Sequence, residues 1–204
     1  MSPSDNTSGI EPIIPRWEWR IFAENPSELQ NYFKSLAPLR REKTDQVYFL
    51  VPQPDLNLKF RYDQFDLKQL VEINSQGFQK WTPIYKSPIP LGDRDVDKLL
   101  GILGMVPQRS HQAGEYIDPV DIFLGNPDIV KVQVEKYREK YRIDGVSCEY
   151  AAIKNDTLKL VTIAIEDADP LNISHVKAKL HIKTEENVSY PAALKQSLNY
   201  KPAR

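Results

Sequence analysis

The stretch Val134-Glu-Lys-Tyr-Arg-Glu-Lys-Tyr-Arg142 carries a basic side chain at every second position, Lys136, Arg138, Lys140 and Arg142, and runs into Ile143-Asp-Gly-Val146. Period two is the repeat of a β-strand, which would set all four cations on one face. A helix competes, because Val134, Tyr137 and Tyr141 also fall at helical spacing. On a helix, however, Lys136 and Lys140 would be like-charged neighbours four residues apart, as would Glu135 and Glu139. Asp-Gly between two alternating runs is in addition a strong signal for a two-residue hairpin turn. The strand reading is therefore preferred. A turn at Asp144-Gly145 pairs Arg142 with Ser147 and Lys140 with Glu149, and opposed residues share a face. Glu149 then stands among the four cations. With a loop at residues 154–157, Glu149 comes opposite Thr162 and Glu166 joins the same face; a loop one residue different would reverse that last assignment.

A second hairpin points the same way. Leu56 to Ile73 reads as two strands turning at Asp63-Gln64, which pairs Arg61 with Asp66 and Lys59 with Lys68. The two hairpins together offer seven basic groups: Lys59, Arg61, Lys68, Lys136, Arg138, Lys140 and Arg142. Residues 16–24 alternate as well, with Trp17, Trp19 and Ile21 on one face and Arg16, Glu18 and Arg20 on the other.

Like charges two residues apart on a strand stand roughly 7 Å from each other. At an effective dielectric near 20 their repulsion is about 2 kcal/mol per pair, and it falls severalfold in bulk water. An open sheet would bear that cost in solvent without a partner. A closed barrel with these groups inside would need a bound polyanion, and its carboxylates could hold divalent cations.

The rest of the chain fits an α+β domain that is mainly antiparallel sheet with peripheral helices. Residues 43–51, 77–89, 130–143, 146–153 and 158–166 read as further strands, with Pro83 suggesting an edge position for the second of these. Helices are expected from Asn25-Pro26, with Leu29, Tyr32, Phe33 and Leu36 as the apolar stripe, and from Asp93 or Asp95 to a stop at Gly104. Two more are expected at the end, one from Asp169-Pro170 and one near Ser189-Tyr-Pro-Ala-Ala-Leu. Residues 106–128 read as a long loop, and residues 1–14 as a disordered leader before a single domain over 15–204.

With 27 basic against 28 acidic residues, the chain lacks the net positive charge of a general nucleic-acid binder. Single-stranded nucleic acid on an open sheet would also need Tyr137 and Tyr141 beside the cations, whereas alternation sets them on the opposite face. No apolar run is long enough to span a bilayer. Cys148 is the sole cysteine, which excludes an internal disulfide and a thiolate cluster; it reads as a small core residue, and a cytoplasmic location follows. His111, His175 and His181 do not have metal-ligand spacing, and the last two read as surface positions on a helix.

In order along the chain, these segments resemble the CYTH-type triphosphate tunnel metalloenzymes, which include inorganic and thiamine triphosphatases and class four adenylyl cyclases. Arg-Trp-Glu-Trp-Arg is similar to their opening Glu-x-Glu-x-Lys strand, at Glu18 and Arg20. Thr-Asp-Gln-Val-Tyr-Phe-Leu looks like their Asp-x-Tyr-Phe strand. Leu-Lys-Phe-Arg-Tyr and Asp-Leu-Lys-Gln-Leu resemble their basic strands, at Lys59, Arg61 and Lys68. Val-Glu-Lys-Tyr-Arg-Glu-Lys-Tyr resembles the later Lys-x-Arg strand, at Lys136 and Arg138. Cys-Glu-Tyr and Ala-Ile-Glu look like the acidic hairpin, at Glu149 and Glu166, and Ser-Tyr-Pro like the opening of the last helix. The likeness spans about residues 15 to 198.

What the resemblance implies is an antiparallel β-barrel, a triphosphate tunnel, and a metal-dependent hydrolase of a phosphoanhydride. Glu18, Glu149 and Glu166 would hold Mg²⁺ or Mn²⁺ as the catalytic set. Arg16, Arg20, Lys59, Arg61, Lys68, Lys136, Arg138 and Lys140 would grip a small-molecule polyanion such as triphosphate, a nucleotide or polyphosphate. Two departures stand out: Arg16 replaces the first Glu of the opening motif, and Ala164 the first Glu of the acidic one. A tunnel that binds polyphosphate or a nucleotide without turnover is the alternative they favour.

Overall fold

The computed structural model describes residues 15–89, 91–105, 123, 126–182 and 186–202. Its frame is a closed antiparallel barrel in the order β1-β5-β4-β3-β2-β6-β7-β8. The strands are β1 (Arg16–Ala23), β2 (Arg40–Leu50), β3 (Leu56–Arg61), β4 (Gln64–Ile73), β5 (Gln79–Pro88), β6 (Val130–Ile143), β7 (Val146–Lys154) and β8 (Lys159–Asp167). Among the described residues the helices are α1 (Ser27–Lys34), α2 (Asp93–Leu103), α3 (Pro170–Lys179) and α4 (Tyr190–Ser197). No described helix is long and apolar enough to cross a membrane. The expected leader and most of the expected 106–128 loop lie outside the described residues.

The barrel wall is inverted relative to an ordinary soluble core. Trp17, Trp19 and Ile21 of β1 point outward into one apolar cluster with Phe33 of α1 and Ile173 and Val176 of α3, and Cys148 is buried in the same cluster. Phe49, Phe60, Phe65 and Leu67 point outward into a second cluster beneath Val96, Leu99 and Leu103 of α2. Apolar side chains thus drive helices onto the outside, and the alternate positions are left to face inward. Along β6 the inward row changes character. It runs from Lys140, Arg138 and Lys136 to Val134 and Val132, and these valines pack with Leu50, Ile153 and with Tyr190 and Leu194 of α4. α4 therefore stoppers one end of the barrel.

Turns set the registers. Asp144 (φ 50°) and Gly145 (φ 84°) both adopt left-handed backbone, and the hairpin pairs Arg142 with Ser147 and Lys140 with Glu149, as expected. The other hairpin turns one residue earlier than expected, at Tyr62 (φ 51°) and Asp63 (φ 55°). Its partners are therefore Lys59 with Asp66 and Asn57 with Lys68. Glu149 likewise faces Ala164 rather than Thr162. Both differences shift the register by two residues, so every side chain keeps its expected face.

Other expectations change more. Pro83 is not on an edge, because the sheet closes. It sits opposite Lys68 where the β4–β5 register shifts, and Tyr85 is already opposite Leu67. This is a bulge, where a missing N–H does least harm. Pro26, not Asn25, takes the cap position of α1, without a side-chain hydrogen bond, and Gly92 caps α2, which Gly104 ends at φ 64°. Asp169 and Ser189 cap the last two helices by accepting from the amides of Leu171 and Ala192. His175 lies in α3, but His181 falls beyond it at φ 57°.

The joint between β1 and β5 is short, with Arg16, Trp17 and Glu18 opposite Trp81, Lys80 and Gln79. Past it, Asn187 takes over. Its Nδ2 donates to the carbonyls of Glu18 (2.8 Å) and Gly77 (2.9 Å), and its Oδ1 accepts from the amide of Arg20 (2.8 Å). The amide of Val188 donates to the carbonyl of Arg20 at 2.8 Å. The segment leading to α4 thus stitches the seam of the barrel.

Candidate functional site: a charged tunnel inside the barrel

The barrel encloses a cavity of about 190 Å³ whose lining includes Glu18, Arg20, Lys59, Arg61, Lys68, Lys136, Arg138, Lys140, Glu149 and Glu166. Strand alternation brings all of these expected site residues together. Arg16 alone stays at the rim, exposed, with Nε 3.8 Å from Glu166. Tyr137 is exposed on the outside, and Tyr141 is buried there against Phe33, with ring centroids 5.0 Å apart. Neither tyrosine shares the face of Lys136 and Arg138.

The charges sort themselves into partnered and unpartnered groups. Glu149 is the hub. Its Oε1 accepts from Lys136 Nζ (2.7 Å) and Arg20 Nη1 (3.1 Å), and its Oε2 lies 3.5 Å from Arg138 Nη1. Glu18 receives a two-pronged bond from Arg20, Nε to Oε1 at 3.0 Å and Nη2 to Oε2 at 3.2 Å. Glu42 accepts from Arg138 Nε at 3.0 Å and from the hydroxyl of Tyr62. Arg61 Nε donates to Asp66 at 3.0 Å. Among the described residues, Lys59, Lys68 and Lys140 have no carboxylate partner.

Electrostatics follows this division. Burial opposes charge on Glu149, but Lys136, Arg20 and Arg138 hold its carboxyl far below the usual range. Burial likewise opposes charge on Glu18, and Arg20 brings it below that range. Glu42 is held down at about 2, against its burial, by Tyr62 and Arg138. Lys59 is pushed well below an ordinary lysine by burial and then by Arg61, Lys68 and Lys136. Glu166 moves upward, through burial and then through its cross-strand neighbour Glu18.

Two buried polar atoms in the lining, Asn57 Oδ1 and the Tyr190 hydroxyl, have no hydrogen-bond partner. Such orphans are uncommon in folded proteins and here face a cavity. The Tyr190 ring forms its floor, with Arg20 Cζ 4.7 Å and Lys136 Nζ 4.8 Å from the ring centroid.

Among the described residues no three His, Cys, Asp or Glu side chains group closely enough to hold a metal ion. The three expected carboxylates are split. Glu149 is saturated by cations, Glu18 is engaged by Arg20, and Glu166 stands toward the rim. As arranged the three do not converge on one divalent ion.

Sequence reasoning missed Glu42, Thr162 and the floor residue Tyr190 as site groups. Starting β2 at Arg40 rather than Lys43 would have placed Glu42 on the face of Tyr48, which lines the cavity. Thr162 is fully buried and accepts from Arg20 Nη1 at 3.0 Å.

A closed antiparallel barrel with a cationic interior and helices outside is the fold that the resemblance to the CYTH-type triphosphate tunnel proteins implies. No family model matches the sequence, and no curated protein is significantly similar to it. Solved structures do match. A Hippeastrum protein named for adenylyl cyclase and described by a dominant triphosphatase activity superposes with a TM-score of 0.52 at 16% identity, over 89% of this chain and 95% of that one. A Bacillus halodurans protein named as an adenylate cyclase gives 0.49 at 11% identity, over 87% and 94%. At these identities the likeness is one of fold.

Proposed function

We propose that the barrel is a receptor for a small anion bearing a linear phosphate chain, such as inorganic triphosphate, a nucleotide or short polyphosphate. The observation that carries this reading is the set of lysines without partners, Lys59, Lys68 and Lys140, spaced along an enclosed wall whose other cations are neutralised from within. Phosphate oxygens accept several strong, charge-assisted bonds from such groups. They would also satisfy the orphaned Tyr190 hydroxyl. The triphosphatase activity described for the Hippeastrum protein supports the same ligand class.

The test is calorimetric titration with inorganic triphosphate. Lys59→Met and Lys68→Met should each weaken binding by about tenfold or more, from the roughly 1.5–3 kcal/mol of a charge-assisted bond. Unchanged affinity in both variants, or no binding by the wild type, would overturn the proposal.

Hydrolysis of a phosphoanhydride, with Mg²⁺ or Mn²⁺ at Glu18, Glu149 and Glu166, is the competing reading. One feature favours it: Glu18 and Glu166 are cross-strand partners, and a cation between them would relieve their repulsion. Phosphate release from triphosphate or ATP that requires Mn²⁺ and is lost in Glu166→Gln would establish it over capture alone.

A further inference from the structure

Glu18 and Glu149 lie on β1 and β7, with β8 between them. On β8, Glu166 is the register partner of Glu18, and the next inward residue, Ala164, is the partner of both Arg20 and Glu149. Its methyl group leaves the row open, and the Arg20 guanidinium crosses it. From there Arg20 reaches Glu18 through Nε and Nη2, and Glu149 and Thr162 through Nη1. Those contacts use four of the five N–H donors that a guanidinium has, and the Tyr190 ring lies over it at 4.7 Å. The side chain is buried, and its charge is permanent.

We propose that Arg20 does in this barrel what a bound divalent cation would do, joining Glu18 to Glu149 across Ala164, so that the tunnel takes up its phosphate chain without metal. The inference rests on the receptor reading above and adds how that receptor is kept ready. An ion seated between Glu18 and Glu149 would have to displace the guanidinium from both carboxylates and leave it buried with only Thr162 and the Tyr190 ring, which is costly. Lys136 and Arg138 close the remaining approaches to Glu149. The carboxylates therefore position cations instead of waiting for one, and the unpartnered lysines are left for the anion.

The experiment pairs two readouts on the full chain. In the first, Mn²⁺ is added to protein without triphosphate, and the electron paramagnetic resonance signal of free Mn²⁺ is followed. The wild type should leave it unchanged. Arg20→Gln, which frees Glu18 and removes one of the three cations on Glu149, and Ala164→Glu, which adds a carboxylate beside them, should each deplete it stoichiometrically. Mn²⁺ should also raise the melting temperature of either variant but not that of the wild type. In the second, the melting temperature of the wild type is measured with triphosphate in EDTA and again in Mn²⁺, and the two upward shifts should agree. Stoichiometric depletion of Mn²⁺ by the wild type, or a triphosphate shift that disappears in EDTA, would overturn the inference. If Arg20→Gln does not fold, Ala164→Glu and the wild-type arms still decide. Absence of any triphosphate shift would count against the receptor reading alone, because the Mn²⁺ arm does not depend on it.

Discussion

At the scale of single residues, Glu149 is the group on which the interior depends. It holds Lys136, Arg20 and Arg138 together where water is scarce, and removing one side of a buried ion pair is far more damaging than lacking the pair altogether. Glu149→Gln should lower stability by about 3–5 kcal/mol in urea denaturation. The same residue predicts the response to acid. Glu149 and Glu42 are both held below their ordinary value of 4.5, Glu42 at about 2, so the unfolded chain takes up protons first. Their stabilisation is complete above the ordinary carboxylate range and drains away as pH falls from 4.5 toward 2. Glu166 acts in the opposite sense, since its raised value favours the protonated native form. Urea midpoints should therefore fall steeply below about pH 4.5 in the wild type and less steeply in Glu149→Gln.

At the scale of elements, inward and outward faces were legible from sequence while registers were legible only at one hairpin, and the physics of a strand explains the difference. Facing is a local property, fixed by alternation at Lys136, Arg138 and Lys140 or at Lys59 and Arg61. Register depends on turn conformation. Asp144-Gly145 declared itself, because glycine marks a left-handed backbone. Tyr62-Asp63 did not, since a tyrosine at φ 51° is an unusual choice for such a turn. Here the Tyr62 hydroxyl is held by Glu42, which accounts for a side chain where glycine would be easier. The pairing of Arg20 with Glu18 and Glu149 was equally hidden, because it depends on which β8 residue lies between two strands. Gly145 supplies a clean test of the turn argument. Beyond its two chain neighbours nothing lies within 4 Å of a Cβ placed there, so Gly145→Ala meets only the left-handed backbone. It should cost about 1 kcal/mol in chemical denaturation.

At the scale of the whole molecule, the barrel wall keeps its apolar side under the helices and its charged side within. The overall class was readable because period-two segments with cations on one face recur through the chain, and because turn signals separate them. Closure was not readable from alternation alone, since it rests on β1 meeting both β8 and β5; the expectation of a barrel came from the family resemblance. Nor was the stopper, where Tyr190 and Leu194 meet Val132 and Val134. That stopper closes the cavity at one end, and on the receptor reading proposed above it sets the length of phosphate chain that can be enclosed. Affinity measured by calorimetry for linear polyphosphates should accordingly rise up to the length that fills the cavity and then level off. A continued rise with length would mean that the chain threads through.

The stitching of the seam by Asn187 has a consequence for how the chain acquires its shape during synthesis. β1 emerges early, yet its partners β5 and β8 and the asparagine that completes its hydrogen bonds follow much later. Its tryptophans must stay unburied, and Arg20 without Glu149, until nearly the whole domain has left the ribosome. The charged cavity is thus the last part of the molecule to come into being, and an anion present at that moment would find the hoop still open.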